Sequence, residues 1–296
     1  MTEPGVVWIN GRLAQGSHAL LTVTDRGFQL GDGVFETIRV LSGNPLELSL
    51  HTSRLKASAA VLAITLPDDL EEILPGAIAQ LCAANSLDDP GSTVAVRITA
   101  SRGPVVGRAL LPPEACEPSL VIQAWRVDPP KPELLERGLS LIISEVRRDP
   151  ASPLAKVKTT SRAELVYARL EAHHRGVDDA LLLTTDGHIA EATSASIFLV
   201  EASGLATPSL DCGVLVSTTR GWIISAGARA LGLAVRQAWL LPDDLFAADE
   251  VFLASSVAGI VPVTSVESRP IGGGSPGAVT TRLRAAREKM ASDLTL

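Results

Sequence analysis

The chain has 296 residues and a formal net charge of −7, with 46% hydrophobic and 20% charged residues. That length suits one large or two medium domains with a real core, and no apolar run approaches the roughly 20 residues that a membrane-spanning helix needs. The N-terminus lacks the basic and apolar stretches of a secretory signal, the scattered Cys82, Cys116 and Cys212 form neither a disulfide framework nor a zinc pattern, and the acidic balance argues against nucleic-acid binding, so a cytoplasmic protein without a metal site is expected.

In chain order, Val6–Arg12 reads as a strand closing on an Asn10-Gly11 turn, a strong hairpin signal. Val34–Leu41 alternates apolar with polar residues and stops at the turn cluster Ser42-Gly43-Asn44-Pro45. Leu50–Ala63 has helical spacing, and Leu70–Asn85 reads as a second helix with Pro75 in its first turn. Thr93–Thr99 and Ser119–Gln123 read as strands. Residues 125–133 hold three prolines among Pro129-Pro130-Lys131-Pro132 and fit a linker. It would separate a smaller mixed domain, residues 1–124, from a larger one, residues 134–296.

Beyond the linker, Leu139–Val146 reads as a strand. Ser161-Arg162-Ala163-Glu164 matches a capping box ahead of a helix to His174, ended by Gly176. Ala180–Thr184, a turn at Thr185-Asp186-Gly187, and Ile197–Val200 read as strands. A helix over Thr219–Leu231, a strand at Val251–Leu253 and a terminal helix over Val279–Met290 complete the pattern. Hairpins mixed with helices, without strict βαβ alternation, indicate two α+β domains.

Several local settings suit chemistry. Lys158 lies between a Pro-containing loop and the hydroxyl run Thr159-Thr160-Ser161; desolvated there, an amine becomes a Schiff-base nucleophile. Lys156 satisfies the same local argument. Glu191, beside the small polar run Ala192–Ser196, could accept a hydrogen bond from a ring N–H. Ser217-Thr218-Thr219-Arg220 opens a helix and could bind phosphate, although plain N-capping also calls for hydroxyls there. Ala254–Gly259 is a second small, hydroxyl-rich loop, and Arg54 could serve phosphate or stand on the surface.

Taken in order, several segments make the chain resemble the class IV (fold-type IV) pyridoxal-phosphate enzymes. They are Asp25-Arg26-Gly27-Phe28-Gln29-Leu30-Gly31-Asp32-Gly33-Val34-Phe35-Glu36-Thr37, His51-Thr52-Ser53-Arg54-Leu55 and Lys158-Thr159. Asp186–Ala192, Thr207–Leu210 and Gly213–Arg220 follow. That family includes branched-chain and D-amino-acid aminotransferases, R-selective amine transaminases and 4-amino-4-deoxychorismate lyases. The resemblance implies a homodimer of two mixed α/β domains, the larger carrying the lysine that holds pyridoxal 5'-phosphate, and a small-molecule amine substrate.

Position by position, the resemblance makes Lys158 the cofactor lysine and Glu191 the acid beside the pyridine nitrogen. Arg54, Thr218, Thr219 and Ser256 become phosphate contacts. Phe35, Thr37, Arg108, Ser255 and Val257 face substrate. Lysine followed four residues later by Arg162 is most similar to the lyases, which release 4-aminobenzoate and pyruvate; transamination of D-amino acids, branched-chain amino acids or R-amines is the alternative. Leu110 stands where D-amino-acid aminotransferases carry the histidine of an Arg-x-His carboxylate trap.

Overall fold

The Asn10-Gly11 dipeptide takes positive φ at both positions, +45° and +89°, and folds strand β1 (Val6–Ile9) onto β2 (Arg12–Gln15) as a tight hairpin. The computed structural model describes residues 5–107 and 109–294 and divides into two compact units. The first runs to Asp128 and includes Val157–Ser161; the second comprises Pro129–Lys156 and Arg162–Asp293.

In the first unit, helix α1 (Arg26–Leu30) is capped by the Asp25 carboxylate and ended by Gly31, at φ +65°, where only glycine is free of strain. Strand β3 (Gly33–Leu41) then turns into β4 (Asn44–Pro45), and α2 (Leu48–Val61) and α3 (Leu70–Ala84) follow. Pro75 lies inside α3 rather than in its first turn, on the exposed side, where it has no N–H to offer the Glu71 carbonyl. With β5 (Thr93–Ser101) and β6 (Ser119–Arg126), the strands form one antiparallel sheet ordered β2-β1-β6-β5-β3-β4. Val34, Ile38, Val40, Val94, Val96 and Ile98 pack with Leu55, Leu74, Ile78 and Leu81 of the two helices in one core.

The linker is shorter than its proline content suggests. β6 continues through Arg126, and α4 (Pro132–Arg137) accepts Pro132 in its first turn, where the missing N–H costs nothing.

The second unit holds β7 (Leu139–Arg148), α5 (Ala163–His174), β8 (Asp179–Thr184), β9 (Ile189–Ala192), β10 (Ser196–Glu201) and β11 (Gly204–Pro208). Helix α6 (Thr218–Trp222) passes through a π turn at Ile223–Gly227 into α7 (Ala228–Ala230); periodicity alone predicts one uniform helix there. Next come β12 (Val235–Ala238), α8 (Pro242–Ala247), β13 (Glu250–Ser255), β14 (Gly259–Val266), β15 (Arg269–Pro270) and α9 (Ala278–Asp293). Its sheet runs β12-β11-β10-β13-β14-β7-β8-β9, with β15 on β14. The continuous apolar runs of β8, β10 and β13 are buried on both faces, as strands in a covered sheet must be.

The expected capping box at Ser161–Glu164 does not form. Arg162 is the residue before α5 and has no side-chain cap, while Ser161 Oγ donates to the Gly31 carbonyl at 3.4 Å. Among the described residues no helix is long and apolar enough to cross a membrane, and no His/Cys/Asp/Glu cluster could hold a metal.

Candidate active site

Alternation along β3 sends even-numbered residues toward α2 and α3. Val34, Ile38 and Val40 obey the apolar expectation, but Glu36 lies on the same side, fully buried. Helix α2 supplies the compensation. Arg54 donates from Nε to Glu36 Oε1 and from Nη2 to Oε2, both at 2.6 Å, and His51 Nδ1 donates to Oε2 at 2.7 Å. Burial pushes the Glu36 pKa up, yet the bonds from Arg54 and His51 outweigh it and hold the carboxyl at about 2.

The opposite face of the sheet carries Phe35, Thr37, Arg97 and Thr99, which the register places as the cross-strand pairs Phe35↔Thr99 and Thr37↔Arg97. The Arg97 guanidinium lies 3.7 Å from the Phe35 ring centroid, and Arg97 Nε donates to Thr99 Oγ1 at 3.3 Å. Burial lowers the Arg97 pKa from its usual value, and among the described residues no carboxylate pairs with it.

The Lys158 Nζ lies 4.7 Å from the centroid of the same Phe35 ring. Its backbone is fixed by Phe35 N donating to Lys158 O at 3.0 Å, Thr160 N to Gly33 O at 2.9 Å, and Lys158 N to Ser58 Oγ at 3.3 Å. Ser58 lies one helical turn beyond Arg54 on the same face of α2. The segment Val157–Ser161 thus packs with the first unit, so Lys158 does not belong to the larger domain as expected: its backbone completes the free edge of β3. Lys156 is exposed. Arg108 lies outside the described residues; Arg26 holds the carbonyls of Ala109 and Leu110 at 2.8 and 2.7 Å.

In the second unit, Glu191 lies on β9, with Oε2 accepting from Leu215 N at 3.1 Å and Oε1 3.1 Å from Arg148 Nη2. Ser217 caps α6 by accepting from Arg220 N at 3.2 Å. Thr218 Oγ1 and Ser256 Oγ share a hydrogen bond at 3.2 Å. Thr219 is completely buried, and its Oγ1 has no hydrogen-bond partner. Ser255 ends β13 opposite Gly259, with Ser256 and Val257 in the intervening turn.

The sequence profile described as amino-transferase class IV matches residues 33–266. The chain belongs to the class IV aminotransferases. A Methanocaldococcus jannaschii relative, provisionally named a branched-chain-amino-acid aminotransferase, is 34% identical over 94% of this chain and 93% of its own. The aminodeoxychorismate lyase of Bacillus subtilis is 28% identical over 96% and 94%. The T.th. branched-chain amino acid aminotransferase, solved with pyridoxamine 5'-phosphate, superposes with a TM-score of 0.89 at 29% identity, covering 98% of this chain and 94% of that one. The fold is therefore that of the fold-type IV enzymes, and class IV aminotransferases depend on pyridoxal 5'-phosphate.

The residues present suit that cofactor. A buried, unpartnered threonine hydroxyl in the first turn of a helix is a donor left for an anion, and the Glu191 carboxyl oxygens are acceptors of the kind that suit a ring N–H. Glu36, Arg97 and Arg148 escaped the sequence reading. Glu36 had one legible signal, a charge at an apolar-facing position of an alternating strand. Arg97 and Arg148 had none, since an arginine at a strand position is ordinarily solvated.

Proposed function

We propose that this class IV enzyme takes the amino group from a primary amine bearing a carboxylate and passes it to an oxo acid. The observation that carries this reading is Arg97, half-buried, stacked on Phe35 beside Lys158 and lacking an acid partner among the described residues. A buried guanidinium without an anion is costly, and a substrate carboxylate would supply one. An R-amine without a carboxylate would leave that charge unanswered. The relatives named as aminotransferases support transfer of the amino group.

Pyridoxal 5'-phosphate, when bound, supplies a carbonyl that condenses with amines and a ring that accepts the electron pair left by proton loss. In the proposed scheme Lys158 Nζ holds the cofactor covalently. Lys158 Nζ would also be the base that takes the proton from the substrate carbon next to nitrogen and holds it for return. Glu191 keeps the ring nitrogen protonated, and Arg54, Thr218, Thr219 and Ser256 bind the phosphate. Phe35, Thr37, Ser255 and Val257 line the substrate, with Arg108 a second carboxylate contact. The enzyme is proposed to be a homodimer.

The second reading is elimination of pyruvate from 4-amino-4-deoxychorismate. It is favoured by Arg162 four residues after Lys158, now seen half-buried and donating to the Thr193 carbonyl at 3.3 Å, and by the lyase relative. Purified enzyme given D-alanine, L-leucine, L-glutamate or R-1-phenylethylamine with an oxo acid, and separately 4-amino-4-deoxychorismate, distinguishes the readings. Oxo-acid formation from a carboxylate-bearing donor is expected. Release of 4-aminobenzoate and pyruvate without transfer activity would establish the lyase, and turnover of the uncharged amine alone would overturn the assignment of Arg97.

A further inference from the structure

Arg148 closes β7, where its backbone carbonyl accepts from Thr185 N at 2.9 Å. Its side chain turns into the second unit with 16% exposure and meets Glu191, itself 12% exposed. Its Nη2 donates to two carbonyls from separate segments, those of Ala155 and of Gly213 at 2.9 Å, and forms an ion pair with Glu191 Oε1 at 3.1 Å. Nε is buried with no partner. Glu191 faces this guanidinium as an ion pair through one oxygen and accepts from the Leu215 amide on the other.

That arrangement does more than brace a loop. An ionised carboxylate offers about four lone-pair sites, so Glu191 keeps acceptor capacity beyond Arg148 and Leu215. A carboxylate buried opposite a pyridine nitrogen can share one proton in two ways, as an ion pair or as a neutral acid beside a neutral ring. Burial favours the neutral pair, because low dielectric penalises separated charge. A fixed cation at 3.1 Å from the carboxylate reverses that preference.

We propose that Arg148 is a positioning residue that keeps Glu191 ionised and oriented, and so places the shared proton on the cofactor's ring nitrogen. The inference rests on the proposed role of Glu191. Arg148 touches no reacting atom in this scheme; it acts through the glutamate. The two carbonyl contacts give it a fixed seat, so the positive charge cannot swing away when a ligand arrives.

The test reads the ring nitrogen directly, by 15N NMR of enzyme loaded with ring-15N-labelled pyridoxal 5'-phosphate. The wild type is expected to show a protonated ring. Arg148→Gln and Arg148→Met, which remove the charge, are expected to move the ratio of protonated to neutral ring by about tenfold or more toward neutral, the change that one pKa unit represents. Arg148→Lys keeps the charge without the fork, and is expected to retain the protonated signal. A protonated ring in Gln or Met, or a neutral one in Lys, overturns the proposal. Gln and Met are read only when far-UV circular dichroism matches the wild type; if neither qualifies, Lys against wild type decides. Glu191→Gln separates the two levels of inference. If it leaves the ring protonated, the role of Glu191 fails, whereas a shift in Glu191→Gln with none in Arg148→Gln removes Arg148 alone.

Discussion

Arg54 grips Glu36 through two bonds of 2.6 Å while Glu36 is fully buried, so the arginine assigned to phosphate already belongs to an internal ion pair. The pair fixes the guanidinium before any ligand binds. Such preorganisation reduces the ordering cost at binding.

Glu36→Gln is therefore expected to destabilise the protein by about 3–5 kcal/mol at pH 7, because it leaves Arg54 charged and unanswered in a buried place. The pH dependence has a definite sign. Folding depresses the Glu36 pKa from 4.5 to about 2, so its contribution is full above the ordinary glutamate range and disappears as pH falls through 2. That shift corresponds to about 3 kcal/mol. Urea denaturation of both proteins from pH 7 to pH 2 checks it: the gap should narrow below about pH 4.5, and a constant gap would show that packing, not charge, is at work.

Lys158→Ala should abolish covalent capture of pyridoxal 5'-phosphate, whereas the exposed Lys156→Ala should leave it intact. Borohydride reduction followed by peptide mass spectrometry reports the modified lysine. Label on Lys156 in the wild type would reverse the assignment.

Thr219→Val tests the buried hydroxyl in isolation. Since Oγ1 has no partner in the protein, the isosteric change should leave apo stability unchanged or raise it by up to about 1 kcal/mol. Cofactor affinity should fall about fivefold to tenfold, the value of one neutral hydrogen bond. Thermal unfolding without cofactor and equilibrium dialysis with it give the two numbers. Loss of apo stability with unchanged affinity would make Thr219 a structural residue.

Arg97→Gln should raise KM for carboxylate-bearing donors by about tenfold or more and spare kcat, since a uniform binding contact is lost. Arg97→Lys should recover part of that loss, as a point charge without the stacked plane. Steady-state kinetics on charged and uncharged amines check the idea. Equal losses on both would mean that Arg97 supports Phe35 instead of substrate.

The strands of the first unit were legible because one face of each is buried: alternation over Val34–Leu41 and the Asn10-Gly11 turn report that directly. The strands around β8, β10 and β13 were read from apolar runs; β11 and β12 carried no comparable local mark, and the equally apolar β14 is interrupted by Pro262, which ordinarily argues against a strand. The π turn at Ile223–Gly227 departs from a uniform helix, although the apolar spacing continues through it. Local chemistry proposed Lys158 and Lys156 equally; the backbone pairing of Lys158 with Phe35, the Phe35 ring beneath its amine and its partial burial distinguish it from the exposed Lys156. Ser161 was misread for a related reason, since its hydroxyl is claimed by Gly31, a residue distant in sequence. Arg148 and Arg97 acquire meaning only from neighbours that folding brings to them.

The pairing of Val157–Ser161 with β3 also bears on how the chain can be cut. β4 reaches only Val40 and Leu41, so the outer edge of Gly33–Phe35 has the lysine segment as its partner. A polypeptide ending at Asp128 would present those amides and carbonyls as a raw edge, the kind that recruits other chains. Such a fragment should self-associate, and a synthetic peptide covering residues 155–163 should suppress this by docking in register. The segment that carries the candidate nucleophile would then double as a guard against misassembly, and selection on either duty would hold the same five residues in place.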